Sequence, residues 1–247
     1  MNGESELVWS HPIDVVCEHA MPERLVLIHA VPALIGTFNQ LGSELLPGVQ
    51  LLHVLDEMIL ERVRQRGSLD EADVERLRNH VASAERVHAS GVLVTCSMLS
   101  PCVDEVQPEL RIPLIKIDDA MVQRAVALGA RIGMVATNID TLEPSAQLLY
   151  EHAARIGKAI LVVPGFVPNA FAALRNGDGA THDRLVKAKI LELAPSVDLI
   201  VLAQASMARV LDALGTDEVV VPILSSPHLA LEQVRVVLAQ RGAPTAC

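Results

Sequence analysis

The chain has 247 residues, 51% of them hydrophobic and 20% charged, which excludes wholesale disorder and leaves room for one large domain or two of about 100–150 residues. A formal net charge of −10 and an aromatic content of 2% exclude the basic, aromatic-lined surface that grips single-stranded nucleic acid, so no nucleic-acid partner is expected. Four cysteines, Cys17, Cys96, Cys102 and Cys247, form no CxxC pair and no ligand-like group with the nine histidines, so neither a metal site nor a disulfide framework is read from them.

Residues 1–21 read as a polar leader with no apolar stretch of the signal-peptide kind. The most apolar segment, 159–174, is broken by Pro164, Gly165, Pro168 and Asn169, too soon to span a bilayer. The expectation is a cytoplasmic protein with no membrane partner, where free thiols are kept reduced.

Residues 25–28 then read as a first strand ending at His29, and 32–46 as a helix closed by Pro47-Gly48. A second strand is expected over 49–54. Residues 70–89 form the clearest helix, with Val74, Leu77, Val81, Ala84 and Val87 at three- and four-residue spacing and charges on the opposite face. Strands follow over 91–94 and 114–117. The pattern then restarts with a strand over 131–136, a helix over 142–156, a strand over 159–163 and a helix over 181–193. Strands over 199–202 and 219–223 and a helix over 228–240 complete the chain. Such alternation implies right-handed βαβ crossovers and an α/β fold with parallel sheets flanked by helices.

The restart is also visible in letters. Val92-Leu93-Val94-Thr95-Cys96-Ser97-Met98 aligns without gaps to Val201-Leu202-Ala203-Gln204-Ala205-Ser206-Met207, and the shift is 109 residues. Arg24-Leu25-Val26-Leu27-Ile28 precedes Arg131-Ile132-Gly133-Met134-Val135 by nearly the same distance. The expectation is two pseudo-symmetric lobes, one made of residues 22–115 with 222–247 and the other of 116–221. The active-site cleft should lie between them at the carboxyl ends of the strands.

Cys96 is the candidate reactive group. It follows a buried strand, between Thr95 and Ser97, near the free N–H groups of the next turn, which could favour a thiolate below the usual value of about 8.5. The alternative is a small buried hydrophobe, the commonest role of a free cysteine. Asp118-Asp119 and Ser225-Ser226-Pro227-His228 each read as caps of a following helix. No Lys or Arg clusters at strand ends, so carboxylate recognition is expected to use backbone N–H and hydroxyl donors.

The segments Leu93-Val94-Thr95-Cys96-Ser97, Arg131-Ile132-Gly133-Met134-Val135-Ala136-Thr137 with Thr141-Leu142-Glu143-Pro144, and the strand into Gln204-Ala205-Ser206-Met207 resemble the aspartate/glutamate/hydantoin racemase superfamily. The likeness covers essentially residues 25–240. It implies a cofactor-independent, metal-free homodimer or higher homo-oligomer in which the two lobes of each chain place one cysteine each on opposite sides of a small carboxylate, an amino acid or dicarboxylate. Cys96 would be the catalytic thiol. His29, Thr95, Ser97, Thr137, Asn138 and Ser206 would line the substrate site, with His29 as a proton partner and the others as carboxylate donors. Ala205 stands where the alignment puts the second cysteine, opposite Cys96 and with room for a thiol. A one-cysteine variant of this kind is compatible with an isomerase or racemase-like enzyme, with a decarboxylase or lyase that protonates one face, and with a ligand-binding member that has lost catalysis.

Overall fold

The computed structural model describes residues 22–215 and 218–242, so the expected leader and both Cys17 and Cys247 lie outside the described residues. In chain order the first half contains β1 (Arg24–His29), α1 (Leu34–Leu45), β2 (Gln50–Leu55), α2 (Glu57–Arg66), α3 (Glu71–Arg86), β3 (Gly91–Val94), α4 (Ser100–Val106), β4 (Leu114–Lys116) and α5 (Asp119–Leu128). The second half contains β5 (Arg131–Ala136), α6 (Leu142–Arg155), β6 (Leu161–Phe166), α7 (Ala170–Arg175), α8 (Gly179–Leu193), β7 (Leu199–Leu202), β8 (Ile223–Ser225) and α9 (Ser226–Gly242). All strand pairs are parallel, and they form two separate sheets of order β2-β1-β3-β4 and β6-β5-β7-β8.

The inner strands explain the aliphatic runs. Every residue of β3 and β7 is buried, as a parallel strand covered on both faces requires. α3 begins at a reciprocal cap: Asp70 accepts from the Asp73 N–H while the Asp73 carboxylate accepts from the Asp70 N–H. Its Val74, Leu77, Val81 and Ala84 then pack under the first sheet. β6 runs through Pro164 and Gly165, beyond the expected end at 163, because it is an edge strand that can spare a donor. β8 starts only at Ile223. Residues 219–222 are irregular and the Pro222 carbonyl accepts from the Ile200 N–H, so the expected strand over 219–223 is displaced towards Ser225. The helices α2, α4, α5 and α7 escape a periodicity reading because each is ten residues or shorter.

The last helix of each half crosses to the other. Met121, Val122, Ala125 and Val126 of α5 pack on Ile132, Met134, Leu199 and Val201 of the second sheet. Ala230, Leu231, Val234 and Leu238 of α9 pack on Leu25, Leu27 and Leu93 of the first. The return to the first lobe thus begins at α9, whereas residues 223–225, assigned to that lobe from sequence, are a strand of the second sheet. No helix among the described residues is long and apolar enough to cross a membrane.

Asp56 fixes α2, whose first turns border the cleft. Its N–H donates to the His29 carbonyl at 2.8 Å, and its carboxylate, 4% exposed, accepts from Arg76 and from His80 Nε2. Burial pushes this carboxyl up, but Arg76 and His80 more than offset it and hold it below the ordinary range. Breaking a fully buried pair costs about 3–5 kcal/mol, and the partial exposure of Arg76 reduces this, so Asp56→Ala should lower unfolding stability by about 2 kcal/mol in urea titration.

Candidate active site between the lobes

A cavity of about 450 Å³ opens where the strand ends of the two sheets face each other. Residues 30–34, Glu57, Leu60 and 95–98 line it from the first lobe. Asn138, Thr141, Phe171, Leu174, Arg175 and 203–206 line it from the second. Of the residues singled out in the sequence, Thr95, Cys96, Ser97, Asn138, Ala205 and Ser206 therefore line one cavity.

Cys96 leaves β3 in extended conformation and opens a short 3₁₀ turn, Ser97–Leu99. The Met98 and Leu99 N–H groups of that turn act to lower the thiol, the effect expected to favour a thiolate, but the Leu99 N–H donates to the Cys96 carbonyl at 2.9 Å and the sulfur makes no cap bond. Burial outweighs them, and with a small addition from the Asp118 carboxyl the thiol is pushed up to about 11. The resting group is a thiol, a proton donor, which corrects the expectation of a lowered value. Cys102 is fully buried on α4 and is likewise raised to about 11 by burial.

The pseudo-symmetry gives a different partner for Cys96 from the one the letters suggest. Leu25 pairs with Gly91 and Ile132 with Leu199. The Thr95 N–H donates to Ile28 as the Ala203 N–H does to Val135, and the Leu99 N–H donates to Cys96 as the Met207 N–H does to Gln204. The equivalent of Cys96 is thus Gln204, one residue before Ala205. Gln204 Oε1 accepts from the Thr137 N–H at 2.6 Å, the Thr137 hydroxyl at 2.8 Å and the Asn138 N–H at 3.3 Å. Its NH₂ has no hydrogen bond among the described residues. A carboxamide is neither an acid nor a base near neutrality, so the second lobe offers an N–H donor where the first offers a thiol.

Two expected site residues stand behind the wall. Thr137 is buried and engaged by Gln204. His29 is 1% exposed and does not line the cavity, because its ring turns between two neighbours: Nε2 lies 2.9 Å from His53 Nδ1, and Nδ1 lies 2.8 Å from Thr95 Oγ1. His53 Nε2 in turn lies 2.9 Å from Asn39 Oδ1. The Thr95 hydroxyl also lies 3.0 Å from the Ile28 carbonyl, to which it can donate, so it is engaged behind the wall by Ile28 and His29 and is not the free carboxylate donor that was expected.

Three groups were not anticipated. Besides Gln204, Arg175 reaches the cavity from the end of α7, its guanidinium 6.0 Å from the centre of the Phe171 ring and in no ion pair among the described residues. Its position at the end of a six-residue helix leaves no local signal of that placement. Asp118, read as a helix cap, makes no cap bond. Its buried carboxyl leaves Oδ2 without a hydrogen-bond partner among the described residues and is pushed up to about 6 by burial, which the nearby Ser97 offsets in part. Ser225 and Ser226 are buried at the start of α9, outside the cavity lining. Among the described residues no three of His, Cys, Asp and Glu converge as metal ligands do.

Burial, and to a lesser degree His53, lowers His29 to about 4. The unfolded chain, with a value near 6.5, therefore binds the proton first, and this contribution to stability is complete above about pH 6.5 and lost towards pH 4. His29→Gln should reduce the fall in unfolding free energy between about pH 7 and pH 4 by on the order of 2 kcal/mol, read from urea titrations at both ends.

The chain matches the Asp/Glu/hydantoin racemase family over residues 38–234. Its fold is shared with an allantoin racemase from Klebsiella pneumoniae (TM-score 0.66, 19% identity, 90% of each chain covered). It is shared too with an aspartate racemase from Picrophilus torridus (TM-score 0.68, 12% identity, 88% of this chain and 94% of that one). A glutamate racemase from Thermus thermophilus is similar as well (TM-score 0.62, 15% identity, 91% of this chain and 84% of that one). No curated protein matches the chain. With two like lobes around one cleft and a family match that spans most of its length, this chain belongs to the Asp/Glu/hydantoin racemase family.

Proposed function

We propose that the chain is a cofactor-independent enzyme that moves a proton on one face of the carbon beside the carboxyl of a small substrate, an amino acid or dicarboxylate. The observation that carries this reading is the Cys96 thiol at the cavity wall, opening the turn Ser97–Leu99 and raised by burial to about 11, so that it is protonated at rest. It gives its proton to a carbanion or enediolate carbon, and the N–H end of the turn favours the thiolate left behind. Arg175 anchors a carboxylate by charge-assisted hydrogen bonds, and Ser97, Asn138 and Ser206 supply further donors around it. Across the cavity the Gln204 amide can orient the substrate but cannot hold a proton for the opposite face. Isomerisation through one thiol, or protonation after C–C cleavage, fits this site better than two-base racemisation.

Deuterium incorporation in D₂O by a panel of small dicarboxylates, amino acids and hydantoins tests the reading. An accepted substrate should gain deuterium on one face, and Cys96→Ser should slow that by about 10²–10⁴-fold. Full activity in that variant would remove the thiol from the mechanism. Arg175→Ala should raise KM by about 10- to 100-fold with a smaller effect on kcat, the weight of a charge-assisted hydrogen bond. Gln204→Cys, rather than Ala205→Cys, should add measurable racemisation. The raised thiol also favours a second reading, a ligand-binding member. A panel compound that binds by calorimetry yet gains no deuterium selects it.

A further inference from the structure

The outer strands β2 and β6 are equivalent: each pairs in parallel with the first strand of its lobe, β1 or β5, and each is followed by a helix at the cleft. Glu57 and Leu60 of α2 line the cavity from one side, and Phe171, Leu174 and Arg175 of α7 line it from the other. Positions three and four apart share a helix face, so each helix brings one charge and an apolar patch to the same space. Glu57 makes no hydrogen bond or ion pair among the described residues. Arg175 makes none either and rests 6.0 Å from the centre of the Phe171 ring. Helix dipoles favour an acid at the start of α2 and a base at the end of α7, but that preference is met wherever the side chains lie. Here both line one cavity, from opposite lobes, and among the described residues no other Asp, Glu, Lys, Arg or His lines it.

A ligand that satisfies such a lining carries one charge of each sign beside an apolar group. A lone carboxylate leaves Glu57 unmatched. A dicarboxylate must set its second charge near Glu57, a like charge, or against Leu60, Phe171 and Leu174, where it loses water and gains no donor. An acidic side chain meets the same apolar residues. We propose that the cavity takes an α-amino acid with an apolar side chain, its carboxylate on Arg175, its ammonium on Glu57 and its side chain between Leu60, Phe171 and Leu174. The proposal rests on the reading of this cavity as the site of a small carboxylate. It selects the amino acid over the dicarboxylate, and an aliphatic or aromatic side chain over an acidic one. Carboxylate and ammonium sit on one carbon, so gripping each from a different lobe fixes that carbon in the cleft that Cys96 also lines.

Titration calorimetry needs no turnover and so separates this proposal from the proposed reaction. Leucine, isocaproate and isobutylmalonate carry one isobutyl group with an ammonium, a hydrogen or a second carboxylate at the same carbon. Aspartate replaces the two leucine methyls with carboxylate oxygens. One enantiomer of leucine should bind tightest, and isocaproate should bind about 10- to 100-fold more weakly, the weight of a charge-assisted hydrogen bond. Isobutylmalonate and aspartate should be at least as weak as isocaproate. Alanine should fall below leucine by about tenfold or more, at about fourfold for each CH₂ buried. Glu57 is exposed, so Glu57→Gln should keep the fold, weaken leucine by about tenfold or more and leave isocaproate unchanged. Leu174→Ala should weaken leucine more than alanine. Isobutylmalonate or aspartate binding more tightly than leucine, leucine indifferent to Glu57→Gln, or no leucine binding at millimolar concentration would overturn the proposal. Leucine that binds as expected yet gains no deuterium at its α-carbon would instead overturn the one-face proton transfer and leave the ligand class standing.

Discussion

A parallel sheet delivers the carboxyl end of every strand to the same edge, and here two such edges are held face to face by α5 and α9. The inner strands β1, β3, β5 and β7 are buried over most of their length and are mainly apolar there. Polar chemistry becomes possible at the strand ends and the first two residues beyond them. That is where Thr95 and Cys96, Thr137 and Asn138, and Gln204 stand. The site is thus a by-product of strand direction, and its residues are close in space because four strand ends converge.

Low polarity at that edge then decides protonation. Burial raises Cys96 and Asp118 and lowers His29, so a thiol, a carboxyl that titrates near about 6 and a neutral imidazole lie within and behind one wall. A chain of net charge −10 repels anions at long range. Arg175 and Glu57 line the cavity from facing lobes, one charge of each sign.

The sheets, their parallel sense, the two-lobe plan and the place of Cys96 are legible in the sequence because buried aliphatic strands alternate with amphipathic helices. The partner of Cys96 is not. The Ser-Met identity after β3 and β7 pulls an ungapped alignment one residue away from the register that backbone hydrogen bonds define, and so points to Ala205 in place of Gln204. Letters compare side chains, whereas strand pairing compares N–H and C=O positions. His29 misleads for a different reason: a strand-end histidine can turn inward when a second ring and a hydroxyl await it. Asp118 carries a local signature of capping, yet its carboxyl turns into the interior and makes no cap bond. Arg175 belongs to a helix too short to show a face.

The crossing of α5 and α9 has a consequence for symmetry. Each half leaves one face of its own sheet bare and covers a face of the other's, so neither half is a complete folding unit. Two identical copies of such a half would complete each other by swapping their last helices about a two-fold axis. An assembly of that kind is bound to place the same residue on both sides of its cleft: two thiols, or two amides. Joining the halves in one chain lifts that obligation, since each side is then encoded separately. A thiol at 96 facing a carboxamide at 204 is an asymmetry that only a fused pair can hold.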